Sequence, residues 1–155
     1  METKSNLKRI QAEKNLLTKE IVQANIIEES KDEQENPIWK ISIPGPDGSP
    51  YKNYRFIIQV TFKNYPFSFP DIVMITPIFH PDIDSTGQFC LQMLESDKWV
   101  PSKKLHQIIN LIIAMLLNPS GENSLNKEAT EIFKSDVKKF NQKAQEHAKK
   151  NAIKN

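Results

Sequence analysis

The apolar residues near the start of the chain recur at the spacing of a helix. Leu7, Ile10, Leu17 and Ile21 lie three, seven and four residues apart, with charged and polar residues between them. Such steps place side chains on one face of an α-helix. The pattern predicts an amphipathic helix over Ser5–Glu20, with a basic outer face.

The spacing then changes to alternation, which is typical of half-buried strands. In "WKISI" and "FIIQVTF" every second residue is large and apolar, and the turn-forming stretch "PGPDGSPY" separates the two. An apolar segment at Val22–Ile27 precedes them, and another at Ile72–Ile75 follows the turn "NYPFSFP". The four segments predict a four-stranded antiparallel meander. The residues expected to face inward in the central strands are Trp39, Ile41, Ile43, Phe56, Ile58, Val60 and Phe62.

Helical spacing returns in the last third of the chain. The stretch "LHQIINLIIAMLL" is apolar on most faces, which predicts a buried central helix that ends at Asn118-Pro119. A further helical pattern follows, for which Ser124 or Asn126 is suited to cap the start and Ser135 to begin a second segment. Because the strands come together rather than alternating with helices, we predict one α+β domain over residues 1–155.

An irregular, proline-rich stretch separates the sheet from the central helix. Residues 64–70 and 76–102 show little periodicity. Compact domains rarely keep such long irregular segments without a functional cause. The only cysteine of the chain, Cys90, lies inside this stretch, which makes the segment the predicted active-site region.

Composition and charge restrict the classes of function. The 155 residues carry a formal net charge of +2, which gives no support to nucleic-acid binding. No apolar run is long enough to span a bilayer, and the first residues lack the apolar core of a signal peptide. We therefore expect a soluble monomer in the cytoplasm, the nucleus or both. No Cys/His cluster has the spacing of a zinc site, so no metal is expected.

Cys90 has an ordinary interpretation and a catalytic one. Most cysteines of intracellular proteins are small buried hydrophobic residues. No neighbouring histidine or lysine indicates an activating base, which argues against a protease-like nucleophile. Exchange with an activated thioester needs less activation, because even an unperturbed cysteine keeps a small thiolate fraction at neutral pH.

Several separately spaced motifs occur together in a recognisable order. They are "PGPDGSPY", "YPFSFP", "FHPDID", "GQFCL" and Trp99 followed by Pro101. From Trp39 to Lys149 the chain resembles the ubiquitin-conjugating enzyme family. The resemblance implies that Cys90 accepts the C-terminal glycine of ubiquitin, or of a relative, from the cysteine of an activating enzyme. It implies transfer to a ligase cysteine or a substrate lysine. It also implies that this chain binds no cofactor, since the activating enzyme consumes the ATP.

The motif before the cysteine departs from the family pattern. The family usually has His-Pro-Asn, whose asparagine amide is assigned to holding the loop and stabilising the oxyanion; here that position is Asp82. An ionised carboxylate only accepts hydrogen bonds, so it cannot donate to an oxyanion. Two alternatives remain: Asp82 is protonated and donates, or it braces the loop. The resemblance makes His80 and Pro81 structural residues of the site, with His80 as a hydrogen-bonded brace rather than a base.

A second departure concerns the loop after the central helix. Many family members place there an aspartate that orients or deprotonates the incoming lysine, and this position aligns with Asn123. A shift of one residue would bring Glu122 to it, and Gln92 occupies a position that is often acidic in lysine-active members. Together with Asp82, these residues suggest slow attack by lysine and preferred transfer to a ligase cysteine. On this hypothesis, Asp82→Asn speeds discharge to lysine without changing loading.

The resemblance also assigns partner surfaces. A loop phenylalanine would by default fold under its loop, and basic residues of a helix are usually only solvated. The resemblance instead implies that a ligase of the RING or cysteine type binds the loop surface, which overlaps a surface used by the activating enzyme. It also implies that the activating enzyme contacts the basic face of the first helix. The residues concerned are Phe67, Val100 and Pro101 for the ligase, and Lys4, Lys8 and Arg9 for the activating enzyme.

Two rival functions stay open. A non-catalytic relative of the same fold would position ubiquitin without chemistry, but such variants usually lack the cysteine, whereas this chain keeps Cys90 together with Gly87 and Leu91. A conjugating enzyme for another modifier, such as SUMO, is the second rival. No residue of the sequence chooses between the modifiers.

Overall fold

A four-stranded antiparallel meander forms the centre of the protein. The computed structural model describes residues 4–122 and 124–155. The strands pair in the order in which they occur in the chain, and a short fifth strand pairs with the third. The strands are β1 (Asn25–Lys31), β2 (Pro37–Pro44), β3 (Tyr54–Thr61), β4 (Asp71–Met74) and β5 (Ile153–Lys154).

Among the described residues, one helix precedes the meander and three follow it, in agreement with the predicted α+β fold. The N-terminal helix covers the predicted residues Ser5–Glu20 and one more, Lys4. The central helix lies in the apolar run that predicts it. A 3₁₀ turn, Ser96–Lys98, lies within the irregular segment. The helices are α1 (Lys4–Glu20), α2 (Leu105–Leu117), α3 (Lys127–Ser135) and α4 (Val137–Asn151).

The two central strands pack their alternate side chains into the core, as predicted. β2 and β3 pair with Trp39 opposite Val60 and Ile41 opposite Ile58. All the residues predicted to face inward are buried, and Trp39 is a core residue. The same hydrophobic core includes the buried residues of α2, which are Leu105, Ile108, Ile109, Ile112, Met115 and Leu116.

Three details of the secondary structure differ from the prediction. The first strand begins at Asn25, and Val22 lies in the preceding turn with 79% of its surface exposed. The second tail helix is capped by Asp136, whose side chain accepts from the Lys139 N–H, and not by Ser135. β5 was not predicted at all, because two residues after a helix carry no alternation. The cap of α3 is Asn126, one of the two residues proposed for it.

Among the described residues, no helix is both long enough and apolar enough to cross a membrane. α2, the most apolar of them, is 13 residues long. A spanning helix needs about 20 apolar residues.

Candidate active site

The loop from His80 to Cys90 folds back on itself and fixes the position of the cysteine. The backbone N–H of Cys90 donates to the carbonyl of Asp82 at 2.9 Å. Ile83 bridges to both His80 and Phe89 in antiparallel fashion. Cys90 is thus placed by backbone pairing to the His-Pro-Asp turn, and it is 7% exposed.

Gly87 lets this loop lie against the end of β4. Its φ is +88°, a left-handed conformation that glycine adopts readily. The Met74 N–H donates to the Gly87 carbonyl at 2.8 Å. A Cβ at position 87 would lie 2.1 Å from the Met74 carbonyl oxygen, closer than two atoms can approach. Glycine is therefore required here for the close approach as well as for the turn.

Asp84 stabilises the turn between the motif and the cysteine. Its Oδ1 accepts from the Thr86 N–H, the Thr86 hydroxyl and the Gln88 N–H at 2.9, 2.7 and 2.9 Å. Partial burial acts to raise the pKa of Asp84, but the hydrogen bonds from Thr86 and Gln88 outweigh it and hold the pKa below its usual value. Asp84 is therefore a structural residue of the turn.

His80 is fully buried and bonded through both ring nitrogens. Nδ1 accepts from the Asp82 N–H at 3.0 Å, so Nε2 carries the proton and donates to the Met115 carbonyl at 2.9 Å. Burial lowers the pKa of His80, outweighing the Met115 carbonyl and the Asp82 charge, which raise it. The neutral ring ties the active-site loop to α2 and has no nitrogen left to accept a substrate proton.

The side chain of Asp82 is held by a residue that the sequence did not single out. Asp82 is fully buried. Its Oδ2 accepts from the backbone N–H of Ser120 at 2.9 Å, and its Oδ1 accepts from the Ser120 hydroxyl at 2.6 Å. The Ser120 hydroxyl in turn accepts from the Glu122 N–H at 3.3 Å. The carboxylate therefore joins the active-site loop to the segment between α2 and α3.

Tyr51 extends the same group of buried polar contacts to the β2–β3 connection. Its hydroxyl donates to the Phe79 carbonyl at 2.6 Å, and its ring lies 5.9 Å from the His80 ring. Burial raises the pKa of Tyr51 well above its usual value, and the charge of Asp82 adds to the effect. We call the buried Tyr51, His80 and Asp82, together with the half-buried Ser120, the buried network; it links three connections of the fold.

Cys90 lies at the edge of this network, where the chain returns to the surface. Leu91, the next residue, is 55% exposed. Among residues 4–122 and 124–155 there is no group of three or more His, Cys, Asp or Glu side chains that could hold a metal ion. A thiol held on a rigid loop beside an exposed leucine is suited to accept an acyl group from a large partner.

The structure describes only two of the three residues predicted to act on an incoming lysine. Asn123 lies outside the described residues. Its neighbour Glu122 is exposed, and so is Gln92, two residues after the cysteine. Their proposed roles in lysine transfer stay predictions.

The predicted ligase surface consists of exposed apolar residues on two adjacent loops. Phe67 is 65% exposed and Val100 47% exposed, and Pro101 is exposed beside it. The loops are joined because the Trp99 Nε1–H donates to the Pro66 carbonyl at 2.8 Å. We call Phe67, Val100 and Pro101 the docking surface. Phe67 is not folded under its loop.

The basic residues of α1 are not equivalent. The side chain of Lys4 lies outside the description, and Lys8 is exposed. Arg9 is largely engaged within the protein: its guanidinium donates to the carbonyls of Pro101 and Lys103 and to the carboxylate of Glu13. Arg9 therefore does not present a free charge in the way that Lys8 does.

Sequence reasoning missed Ser120 and Glu13. Ser120 is 38 residues from Asp82, and Glu13 lies 92 residues from its backbone partner, Leu105. The sequence does carry one sign of Glu13: it lies three residues after Ile10 and four before Leu17, so its carboxylate falls on the apolar face of the predicted helix. A charge at such a position needs a partner.

Comparison with known proteins identifies the family. The model of the ubiquitin-conjugating enzymes matches residues 9–148. A protein described as a ubiquitin-conjugating enzyme of Acanthamoeba polyphaga mimivirus is 32% identical over 152 residues, covering 94% of this chain and 93% of the viral one. The 18 kDa ubiquitin-conjugating enzyme of Drosophila melanogaster is 36% identical over 110 residues, covering 70% of this chain and 72% of the fly protein.

A solved structure matches this fold along the whole chain. The crystal structure of a protein described as a ubiquitin conjugating enzyme from Plasmodium yoelii matches with a TM-score of 0.85 and 30% sequence identity, and the match covers 100% of both chains. The motifs from "PGPDGSPY" to Trp99 fall within the range that the family model matches. The chain belongs to the ubiquitin-conjugating enzyme family.

Proposed function

We propose that this chain carries ubiquitin as a thioester on Cys90, receives it from an activating enzyme and passes it preferentially to a thiol acceptor. Members of the family work with ubiquitin, an activating enzyme and a ligase. The placement of Cys90 on a loop held by a backbone hydrogen bond to Asp82, next to the exposed Leu91, supports a carrier role for this chain. The protein would act as a monomer in the cytoplasm, the nucleus or both, without a bound cofactor or metal.

Loading is an exchange between two thiols. The Cys90 thiolate attacks the thioester carbonyl that joins ubiquitin to the activating enzyme, a new carbon–sulfur bond forms, and the activating-enzyme thiolate leaves. The reaction needs no external oxidant or reductant, since one thioester replaces another. ATP has already been used by the activating enzyme to form the first thioester.

Transfer to a lysine makes greater demands on the site. The attacking amine must lose a proton, and the oxyanion that forms on the carbonyl needs a donor. Loss of one such donor typically costs about 10²- to 10³-fold in rate. Transfer to a cysteine needs neither strong oxyanion stabilisation nor a base beyond the one that generates the thiolate.

The observation that carries the acceptor preference is the pair of hydrogen bonds from Ser120 to Asp82. Both carboxylate oxygens accept, at 2.6 and 2.9 Å. A carboxylate held in this way braces the loop, and its negative charge opposes an oxyanion formed at the neighbouring Cys90. We therefore expect discharge to a thiol to be much faster than discharge to an amine.

The first experiment tests the carrier role. The protein is mixed with ATP and with matched pairs of activating enzyme and modifier, for ubiquitin and for SUMO, and adducts are separated with and without reductant. A reductant-sensitive adduct with ubiquitin that disappears in Cys90→Ala is expected. Loading with SUMO alone would support the second rival, and no adduct with any pair would support the non-catalytic rival.

The second experiment tests the acceptor preference. The loaded protein is chased with free cysteine or with free lysine in a single turnover. Rapid loss to cysteine and slow loss to lysine are expected. Equal, rapid discharge to both acceptors would refute the preference while leaving the carrier role intact.

Asp82→Asn should raise the rate of lysine discharge. Asparagine can still accept from the Ser120 N–H and can donate to its hydroxyl, so the loop stays braced while the negative charge is lost. We expect lysine discharge to rise roughly 10- to 100-fold, with loading unchanged. Asp97→Asn, which removes an exposed carboxylate from the 3₁₀ turn, is the matched control. If Asp82→Asn gives no acceleration, Asp82 acts only as a brace or is already protonated.

A further inference from the structure

Two side chains of α1, one helical turn apart, hold the segment that connects the docking surface to α2. Arg9 contacts the start of that segment and Glu13 its end. The two side chains also bind each other, with Arg9 Nε 3.1 Å from Glu13 Oε1. Residues 101–105 therefore have their backbone polar groups tied to a helix about 90 positions earlier in the chain.

Arg9 uses the planar fork of its guanidinium to bind backbone carbonyls. Nη1 donates to the Pro101 carbonyl at 2.7 Å and Nη2 to the Lys103 carbonyl at 2.5 Å. A lysine in the same position has one charged nitrogen and cannot reproduce this pair of parallel contacts. Since Pro101 belongs to the docking surface, Arg9 directly fixes the backbone of one of its three residues.

Glu13 completes the capping of the first turn of α2, where Gln107 Oε1 already accepts from the Lys104 N–H at 2.7 Å. The N-cap residue, Lys104, makes no side-chain cap, and the first N–H of the helix, that of Leu105, donates to Glu13 Oε2 at 2.7 Å. A carboxylate at this end of a helix also stabilises the helix dipole. Glu13 is 2% exposed, and its two carboxylate oxygens contact Arg9 and the helix terminus respectively.

Aromatic stacking extends the contacts of Arg9 to the second loop of the docking surface. Its guanidinium lies 5.3 Å from the centre of the Tyr65 ring, and the Tyr65 ring lies 5.6 Å from that of Trp99. Trp99 donates to Pro66, next to Phe67. Arg9 thus contacts the loop of Pro101 through the backbone carbonyls of that loop, and it contacts the loop of Phe67 through the Tyr65 ring.

We infer that Arg9 and Glu13 are positioning residues that set the relative orientation of the two docking loops. On the sequence evidence Arg9 was grouped with Lys8 as a direct contact for the activating enzyme. The geometry instead gives it an indirect role, through Pro101 and Trp99. The consequence for partner binding rests on the proposed function, whereas the structural part of the inference does not.

Trp99 reports the structural part of the inference. The other tryptophan, Trp39, is 1% exposed, so added acrylamide quenches mainly the fluorescence of Trp99; a Trp99→Phe variant gives the residual signal. We expect Arg9→Lys to increase the quenching constant by about twofold or more, because the loop loses its forked contacts. Glu13→Gln keeps an acceptor for the Leu105 N–H and should give a smaller increase.

Lys8→Gln is the matched control. It removes the neighbouring positive charge from the same helix, but Lys8 is exposed, and we expect the Trp99 quenching constant to stay at the parent value. Thermal unfolding of each variant shows whether it is folded at the temperature of measurement. Equal quenching in folded Arg9→Lys and in the parent would overturn the inference.

The functional part is tested with the ubiquitin-activating enzyme itself. Misplaced docking loops weaken association but leave the chemistry at Cys90 unchanged. Arg9→Lys should therefore raise the KM for this chain in loading by about 3- to 10-fold, with kcat within about twofold. Higher quenching with an unchanged KM would overturn the link to partner binding. If the parent protein does not load at all, the proposed function fails, while the Trp99 measurement still decides the positioning role.

Discussion

The buried network and the docking surface reverse the usual placement of polar and apolar side chains. His80 and Asp82 are polar and fully buried, whereas Phe67 is a large apolar residue with 65% of its surface exposed. Buried polar groups are stable only when their hydrogen bonds are made, and an exposed apolar cluster gains stability only when something covers it. One region is therefore complete within the chain, and the other is suited to be completed by a partner.

The difference predicts where the stability of the protein resides. Every polar group described in the buried network has a partner within the chain, so removing one leaves others unpaired. The docking surface is exposed, and on the proposed function its contacts are made with a partner rather than with the folded core. Substitutions in the first region should act on folding, and substitutions in the second on binding.

His80→Ala should have the largest effect on stability. It leaves the Asp82 N–H and the Met115 carbonyl without their partner and opens a cavity in the core. We expect the free energy of unfolding in urea to fall by about 3–5 kcal/mol. His106→Ala is the matched control, because His106 Nδ1 has no hydrogen-bond partner within the described chain; its cost should stay below about 1 kcal/mol. Equal costs for the two variants would contradict the role given to the network.

Acidification should lower the stability of the protein through the buried His80. Burial lowers the pKa of His80 from its ordinary value of 6.5, so below that pH the unfolded chain binds a proton that the folded chain does not. The free energy of unfolding should therefore fall between pH 7 and pH 5, by up to about 1.4 kcal/mol per pH unit for this group. Burial, assisted by Lys150, also lowers the pKa of His147, in the same direction.

Two variants assign this pH dependence. His80→Gln should flatten the urea-derived stability profile between pH 5 and pH 7. His147→Gln should change it less, because its side chain lies closer to solvent. A profile that His80→Gln leaves unchanged would show that the ring is not kept neutral by burial in the folded state.

Phe67→Ala should have the smallest effect on folding. The side chain is exposed, so its removal should change the free energy of unfolding by less than about 0.5 kcal/mol. On the proposed function, the same variant should raise the KM for loading by the activating enzyme. Urea unfolding and loading assays on one preparation measure both. A loss of more than about 1 kcal/mol would place Phe67 with the core instead.

The parts of the fold that the sequence predicts are those with one buried face. Trp39 and Ile41 alternate with more exposed residues, and the strand that contains them was placed correctly. β1 is an edge strand with almost every residue exposed, so its apolar pattern is weak and the prediction started too early, at Val22. In physical terms, periodicity records burial, and an element that buries little leaves little signal.

The sequence also predicts only part of the candidate site. Cys90 and Asp82 could be selected because they lie in a local motif, and the family resemblance supplied their proposed roles. Ser120 could not, because its partner is 38 residues away. The position of Glu13 on an apolar helix face indicated that it needs a partner, but not that the partner lies 92 residues away. Hydrogen bonds over such separations depend on the completed fold, so no local pattern encodes them.

The contact between Glu13 and the first N–H of α2 has a consequence for the order of folding. A helix normally begins with a cap supplied by its own sequence, so that its first turn can form early and locally. Here the acceptor for the Leu105 N–H comes from α1, 92 residues earlier. The first N–H of α2 therefore gains its acceptor only when the two helices dock, so a contact that is distant in sequence completes a turn that is local in structure.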